Sequence, residues 1–244
     1  MKKAKLAPLL ACTAILAICS VTAWAEPKTD KVLWDYWYTV SVGKAPYEYY
    51  NDRVETKKDR ITCSNRAWKK EEDFINEEQL GAFAQNDDAL TPLFFNFHST
   101  YRSTETMIDG NVKDKLLTVK VRKTGTDLPL IKRGIPKNML LSSLVPVWLG
   151  RHMKELESGK TLNFYTILED NLEAEFSTVT GTVQGQKPDD FAIKTKTQKV
   201  LIHLSNVKSI WWIEASGVPI RIEIPENDTI VDHVTADQAK KFLQ

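Results

Sequence analysis

The sequence predicts a mainly β protein: a strongly curved antiparallel sheet, a half barrel or open barrel, with a short helical insertion packed on the concave face. Two observations favour this fold class. Apolar and polar residues alternate with period two in many segments, and one central segment has apolar residues at helical spacing instead. Strands joined by short turns form a meander, and a meander that curls can bury one face of its sheet.

The clearest strand pattern covers residues 33–42, where Trp34, Tyr36 and Tyr38 fall on one face. Asp109-Gly110-Asn111 predicts a hairpin turn after a strand at 104–108. The same alternation predicts further strands at 93–102, 116–122, 162–168, 174–183, 192–204, 210–215 and 220–224.

The predicted strand at 192–204 changes character along its length. Lys194 and Lys196 have the same parity as Val200 and Ile202, so one face would pass from charged to apolar. Either a bulge near Gln198 shifts the register, or the strand runs from solvent into the core.

Helices are expected at two places. Asn138 can cap a helical segment that ends near 158–159, and Pro146 either breaks this segment or starts its second part. Thr235 and Gln238 have the spacing of a capping box for a short final helix. Residues 71–85 fit either a helix or a strand.

The central segment, arriving in mid-meander, is expected to pack on the concave face as a plug or lid. Its apolar residues are Leu141, Leu144, Val145, Trp148 and Leu149.

The first 25 residues have the pattern of a secretory signal peptide: a basic start, an apolar middle and Ala23-Trp24-Ala25 before Glu26. We therefore expect export to the periplasm, cleavage after Ala25, and one β-rich domain over 26–244. The apolar stretch is too short and interrupted for a good membrane span. Lipidation at Cys19 is the weaker alternative, because Ile18 is bulky where such sites need a small residue.

Charge and motifs exclude several function classes. The net charge of +1 becomes −2 without the three lysines of the leader, so no nucleic-acid partner is expected. No polybasic run for a membrane surface occurs. The four histidines lie far apart, and no Gly-x-Ser-x-Gly or phosphate loop is present. We expect no metal, no cofactor and no catalytic residue.

The aromatic residues are the best indication of a binding site. Trp34 and Trp37, like Trp211 and Trp212, would lie on opposite faces of their strands. The rings either form ordinary core or are covered by a ligand, a partner or the helical insertion. The residues expected to line a ligand site are Trp34, Tyr36, Tyr38, Phe95, Phe97, Leu144, Trp148 and Trp212.

Three sequence features carry a family resemblance. They are Tyr-x-Tyr-x-Val-x-Val-Gly-Lys at 36–44, the central helical segment followed by Ser-Gly-Lys at 158–160, and Trp-Trp-Ile-Glu-Ala-Ser-Gly-Val-Pro-Ile-Arg-Ile-Glu-Ile-Pro at 211–225. With them the chain resembles uncharacterised exported β-sheet proteins of Gram-negative bacteria. Their sheet is similar to the half barrel of lipoprotein carriers. The resemblance implies this fold and supplies no catalytic residue.

The leading functional hypothesis is a periplasmic, non-catalytic carrier for an apolar ligand, either a lipid or an acylated polypeptide. The concave face would desolvate an acyl chain at about 0.8 kcal/mol per methylene. The alternative is an envelope protein-interaction module without a small-molecule ligand. A hydrolase whose site is assembled only by the fold is the third hypothesis.

Overall fold

A computed structural model describes residues 30–71, 74–170 and 179–244 of the chain. In these residues the protein is mainly β, as predicted, with one large curved sheet that is not closed. The strands are β1 Lys31–Val42, β2 Ala45–Lys57, β3 Arg60–Glu71, β4 Phe74–Gln85, β5 Pro92–Tyr101, β6 Thr104–Lys113, β7 Leu116–Lys123, β8 Thr126–Asp127, β9 Ile131–Gly134, β10 Met139–Leu141, β11 Thr161–Ile167, β12 Val179–Gly185, β13 Gln198–Leu204, β14 Val207–Ile213, β15 Pro219–Ile224 and β16 Thr229–Val234.

The helices of the described residues are short. A 3₁₀ turn, Ser142–Leu144, leads into α1, Val145–Arg151, and then α2, Met153–Glu157. We call 142–157 the helical insertion. The remaining elements are α3 Asp190–Thr195, a 3₁₀ turn Pro225–Asn227 and α4 Ala236–Lys241. No helix in the described ranges has the length and apolar character needed to cross a membrane.

The sheet consists of two meanders joined at a central seam. Strands β1 to β8 follow one another on one side, and β10 to β16 follow one another on the other. At the seam β1 pairs antiparallel with β16, from Trp37 opposite Val234 to Val42 opposite Thr229. Strand β9 shares the outer edge of β7 with β8. Only β10 and β11 pair in parallel among these strands, because the helical insertion connects them as a crossover.

The helical insertion joins the two halves of the sheet. Its residues Leu144 and Leu149 are fully buried in one core with Val54 of one half and Val200 of the other. Gly150 lies so close to the 216–217 turn that an added Cβ would be 2.0 Å from the Ser216 carbonyl oxygen. A segment in contact with both meanders holds the sheet in its curved form.

The residue after Gly150 ties the insertion to the loop between β4 and β5. The Arg151 guanidinium donates to Asn86 Oδ1 at 2.7 Å and to the Asp87 carbonyl oxygen. The predicted packing of the helical segment against the sheet is therefore confirmed. Pro146 lies in the first turn of α1. Of its two predicted roles, it therefore starts a helical part of the segment.

Two turn and cap predictions are wrong. The chain turns at Asp114 and Lys115, both with positive φ, while 109–111 lies inside β6. Gly110 is needed there because the ring of Phe95 fills the space where a Cβ would be. Asn138 caps no helix either: it has positive φ and is followed by β10.

The prediction of one strand at 192–204 is also wrong, and the reason explains its change of character. Asp189 caps α3, which ends at Thr195; Lys196 follows in the left-handed region, and β13 begins only at Gln198. The charged part is thus a helix and the apolar part a strand. Of the ambiguous segment 71–85, Glu71 ends β3 and residues 74–85 form β4, while residues 72–73 lie outside the described residues.

The remaining comparisons concern the strand predicted at 174–183, the final helix and the strands that the sequence analysis did not predict. Of the strand predicted at 174–183, residues 174–178 lie outside the described residues, and β12 begins at Val179. The final helix has both hydrogen bonds of the predicted capping box between Thr235 and Gln238. Strands β2, β3, β8, β9, β10 and β16 were not predicted.

Candidate functional site

Some of the predicted ligand-site residues are buried in the main core, and others line a cavity beside it. Phe95 and Leu144 are fully buried. Trp34 is buried and donates its indole N–H to Asp52 Oδ2 at 2.8 Å. Tyr38 and Phe97 line a cavity on the inner face, which we call the central cavity. The structure thus brings only these two predicted residues together at an open space.

The remaining predicted residues lie apart from that cavity. Tyr36 packs its ring on His233 at a centroid distance of 4.4 Å. Trp148 packs between His152 and Phe164, at 4.4 and 5.2 Å. Trp212 lies on the outer face of β14, where its indole N–H donates to Asp189 at 3.0 Å. These rings are in contact with other side chains of the chain.

Residues of helices α3 and α4 pack against the outward-facing ring of each tryptophan pair, which is Trp212 in one pair and Trp37 in the other. Phe191 of α3 packs edge-on against Trp212 at 5.5 Å, and Lys199 lies over the same indole. Trp37 stacks on Trp68 at 6.0 Å and has Lys240 of α4 over its ring. The chain itself therefore covers a large part of each outer ring.

The central cavity has a volume of about 380 Å³ and lies between β1–β5, the start of the helical insertion and β14–β15. Its aromatic wall includes Tyr38, Tyr50, Phe97 and Trp211. Its charged lining comprises five carboxyl groups and one ammonium group: Glu48, Asp52, Glu78, Glu169, Asp170 and Lys69.

Asp52, in β2, is held by donors from the two neighbouring strands, β1 and β3. Trp34 donates to one carboxylate oxygen at 2.8 Å, and the Cys63 thiol donates to the other at 3.2 Å. Burial raises the pKa of Asp52, while hydrogen bonds from Trp34, Cys63 and Asn65 act against this increase. Burial also raises the pKa of the Cys63 thiol well above its usual value, so this cysteine is not an activated nucleophile.

Glu169 anchors the helical insertion. Its carboxylate accepts hydrogen bonds from the backbone N–H groups of Ser142 and Ser143, at 3.0 and 3.2 Å. It also accepts from both serine hydroxyls, at 2.6 Å in the case of Ser143. Burial raises the pKa of Glu169, and hydrogen bonds from both serine hydroxyls and from backbone N–H groups oppose this increase. The carboxylate therefore caps the first turn of the insertion by accepting hydrogen bonds from its N–H groups.

Glu48 is a carboxyl group of this cavity whose pKa is raised to near neutral pH. Burial raises the pKa of Glu48 to about 7; Lys69 opposes the increase, whereas Glu78 and Asp170 add to it. Lys69 forms an ion pair with Glu78 at 2.6 Å. Its positive charge is therefore shared between Glu78 and Glu48 and compensates the charge of Glu48 only in part. An acyl chain placed here would remove water from several carboxylates without replacing their hydrogen bonds.

A second cavity, at the rim of the sheet, has the opposite character. This rim groove has a volume of about 440 Å³ and lies between the β4–β5 loop, the β6–β7 turn and the segment that leads into β10. Its apolar lining consists of Ala89, Pro92, Leu93, Val112, Ile135, Pro136 and Met139. Its charged lining consists of Lys113, Lys115, Lys137 and Asp114.

Sequence analysis missed the rim groove. Lys113 and Lys115 flank a turn that was placed elsewhere, and Lys137 is more than twenty positions away in a connecting segment. A signal existed in the Lys-Asp-Lys sequence at 113–115, which is typical of an exposed turn. In the described ranges, no group of three or more His, Cys, Asp or Glu side chains could hold a metal ion.

Comparisons with known proteins give little further information. No protein-family model matches the chain, and no curated protein matches it. Among solved structures, a mainly β DUF1089 family protein from Pseudomonas aeruginosa is a distant neighbour. It has a TM-score of 0.38 and 12% identity, and the alignment covers 91% of this chain and 98% of that one. Similarity at this level is no basis for inferring function, and the resemblance to lipoprotein-carrier-like proteins stays a prediction.

Proposed function

We propose that the protein is a non-catalytic carrier of the periplasm that binds an apolar ligand, such as a lipid or an acylated polypeptide, in the rim groove. The observation that supports this proposal is the lining of the groove. Seven of its fourteen lining residues are apolar, and its volume of about 440 Å³ falls within the usual range of small-molecule sites. The rim groove is thus a better acyl site than the acidic central cavity.

The groove also has a rigid base. Met139 is 2% exposed and belongs to the main core, and Val112 packs against that core. An acyl chain lying on these side chains would remove its methylenes from water at about 0.8 kcal/mol each when fully buried. A preformed base adds to affinity, because little conformational entropy is lost on binding.

The test is binding of an environment-sensitive fluorescent fatty acyl probe to the mature chain, with native mass spectrometry of protein purified from periplasm without detergent. Leu93→Asp places a charge in the groove and should lower probe affinity at least tenfold. The matched control is Leu33→Asp, on β1, where the side chain is already 37% exposed. Equal affinity of both variants, or no probe binding by the unchanged protein, would overturn the proposal.

The second candidate is an interaction module of the cell envelope, favoured by one exposed patch. Phe74 and Ile75 are 48% and 59% exposed at the start of β4, and Tyr101 is 39% exposed at the end of β5. The Arg102 guanidinium lies over both Phe74 and Tyr101, at 5.1 and 5.5 Å, so the three side chains are neighbours. Contiguous apolar surface of this kind marks many protein contacts.

A photo-crosslinking residue at Ile75 tests this second candidate in the periplasm of the producing cell. One discrete crosslinked band that is absent when the same crosslinker replaces Val207 would support a protein partner. Val207 is a suitable control because it is similarly exposed, at 46%, in β14. Identical patterns at the two positions would remove the case for this candidate.

A further inference from the structure

We infer that the ligand of the rim groove is a single-chain lipid with an anionic headgroup, and that Lys113, Lys115 and Lys137 bind this headgroup. The inference rests on the proposed carrier function and names the ligand class of the same site. It depends on three features: where the fold places the lysines, which charges surround them, and how they lie relative to the apolar lining.

The fold brings the three lysines together from two separate segments. Lys113 is the last residue of β6, and Lys115 is in the turn that leads to β7. The backbone N–H of Ile135 donates to the carbonyl oxygen of Lys115 at 2.9 Å, which fixes the following segment beside this turn. Strand β9 continues the attachment, with Gly134 opposite Leu116. Lys137 is therefore held next to the turn by the backbone.

The charges around the groove leave a net positive site. Of its charged lining residues, only Asp114 is acidic. Within the described part of the chain, none of the three ammonium groups has a carboxylate within 4.0 Å. By contrast, Lys69 in the central cavity has Glu78 at 2.6 Å. The three rim lysines are thus available for an external anion, which forms strong charge-assisted hydrogen bonds with ammonium groups.

The position of these charges matches an amphiphile. Lys113, Lys115 and Lys137 are exposed, whereas Leu93, Val112 and Ile135 are half-buried and Met139 is buried. The polar end of a bound molecule would face solvent and the lysines, and its chain would lie on the apolar base. A volume of about 440 Å³ is near the lower end of the range for ligand sites, which favours one acyl chain.

The experiment compares three twelve-carbon competitors in displacing the fluorescent acyl probe from the mature protein. They are dodecanoate, dodecanol and dodecyltrimethylammonium, which share one chain length and differ in charge. Dodecanoate should bind at least tenfold more tightly than dodecanol, and added salt should reduce this difference because the lysines are exposed. The cation should bind most weakly.

A triple variant tests the lysines directly. Lys113→Gln, Lys115→Gln and Lys137→Gln together should weaken dodecanoate about tenfold and leave dodecanol unchanged. The matched control carries the same substitution at Lys44, Lys154 and Lys208, which are exposed and lie outside the groove. It should bind all three competitors as the unchanged protein does.

The outcomes separate the two proposals. If dodecanoate and dodecanol bind equally, or if the rim variant and the control behave alike, the headgroup inference is overturned and the carrier function is retained. If no competitor displaces the probe and the probe itself does not bind, the carrier function fails. Preference for the cation would also overturn the inference and would direct attention to the acidic central cavity.

Discussion

The central cavity and the rim groove have similar volumes, about 380 and 440 Å³, but their charged groups have opposite signs and different tasks. In the central cavity Asp52 and Glu169 accept hydrogen bonds from several strands and from the helical insertion. At the rim, the lysine side chains hold no part of the described structure together. The size of a cavity is thus a poor guide to its role, and the partners of its charged groups are a better one.

The largest effect is expected at Glu169, the most connected group of the central cavity. Glu169→Ala removes the acceptor of four hydrogen bonds and leaves half-buried N–H and hydroxyl donors without this partner. The free energy of unfolding should fall by about 3 kcal/mol, measured by urea denaturation. Asp170→Ala is the control, because that side chain is exposed. Equal losses in the two variants would contradict a structural role for Glu169.

The next effect concerns the contact that positions the insertion. Gly150→Ala would place a Cβ 2.0 Å from the Ser216 carbonyl oxygen and 3.0 Å from the Gly217 nitrogen, and this backbone must move. Stability should fall by about 1–3 kcal/mol, read as a lower midpoint of thermal unfolding. Gly134→Ala is matched, since nothing lies within 4 Å of its added Cβ. A Gly150 variant as stable as the Gly134 variant would show that the turn adapts freely.

The third prediction concerns the pH dependence of the central cavity. Because burial raises the pKa of Glu48 from 4.5 to about 7, the folded protein holds this proton more tightly than the unfolded chain. Stability that Glu48 contributes is therefore present below pH 4.5 and is lost as pH rises through about 7. Glu48→Gln should stabilise the protein at pH 8 by about 1 kcal/mol and have little effect at pH 4.

Urea denaturation at both pH values checks this prediction, with the exposed Glu157→Gln as control. The same Glu48 variant should leave acyl binding unchanged, since Glu48 does not line the rim groove. A change in acyl affinity would indicate that the two cavities are coupled. A pH-independent stabilisation would mean that Glu48 titrates in its ordinary range.

The smallest effect is expected at Arg151, which links the two regions. It ties the insertion, whose Pro146 lines the central cavity, to the β4–β5 loop, whose Ala89 and Thr91 line the rim groove. Arg151→Ala should cost less than about 1 kcal/mol, since the side chain is exposed. Acyl-probe affinity should fall two- to threefold as the groove wall loosens. With Arg60→Ala as control, an unchanged affinity would show that the loop keeps its position alone.

The sequence predicted local features better than long-range ones. The strand at 33–42 and the capping box at Thr235 were correct because a few adjacent residues determine each of them. The prediction of a turn at 109–111 was wrong because a residue of the neighbouring strand determines the structure there. The ring of Phe95 packs against Gly110, so this glycine allows close packing inside a strand. The segment 71–85 was ambiguous for the same reason, since pairing with β3 and β5 fixes its residues 74–85 as a strand.

The site was harder to predict than the fold. Large aromatic and aliphatic residues were expected to line a ligand site, yet Trp34, Phe95 and Leu144 are buried in the core. Composition could not distinguish these uses, since core and binding sites prefer the same rings. The rim groove depends on a backbone hydrogen bond between Ile135 and Lys115, and no local sequence pattern predicts such a contact.

The seam between β1 and β16 has a consequence for the time course of folding. As a ribosome or an export channel delivers the chain from its N-terminus, β1 to β9 can assemble while one side of β1 still lacks its neighbour. That side offers unpaired N–H and C=O groups, which makes it a target for aggregation until the last strand arrives. The second meander is thus needed to close the edge at which the first began, nearly two hundred residues earlier in the chain.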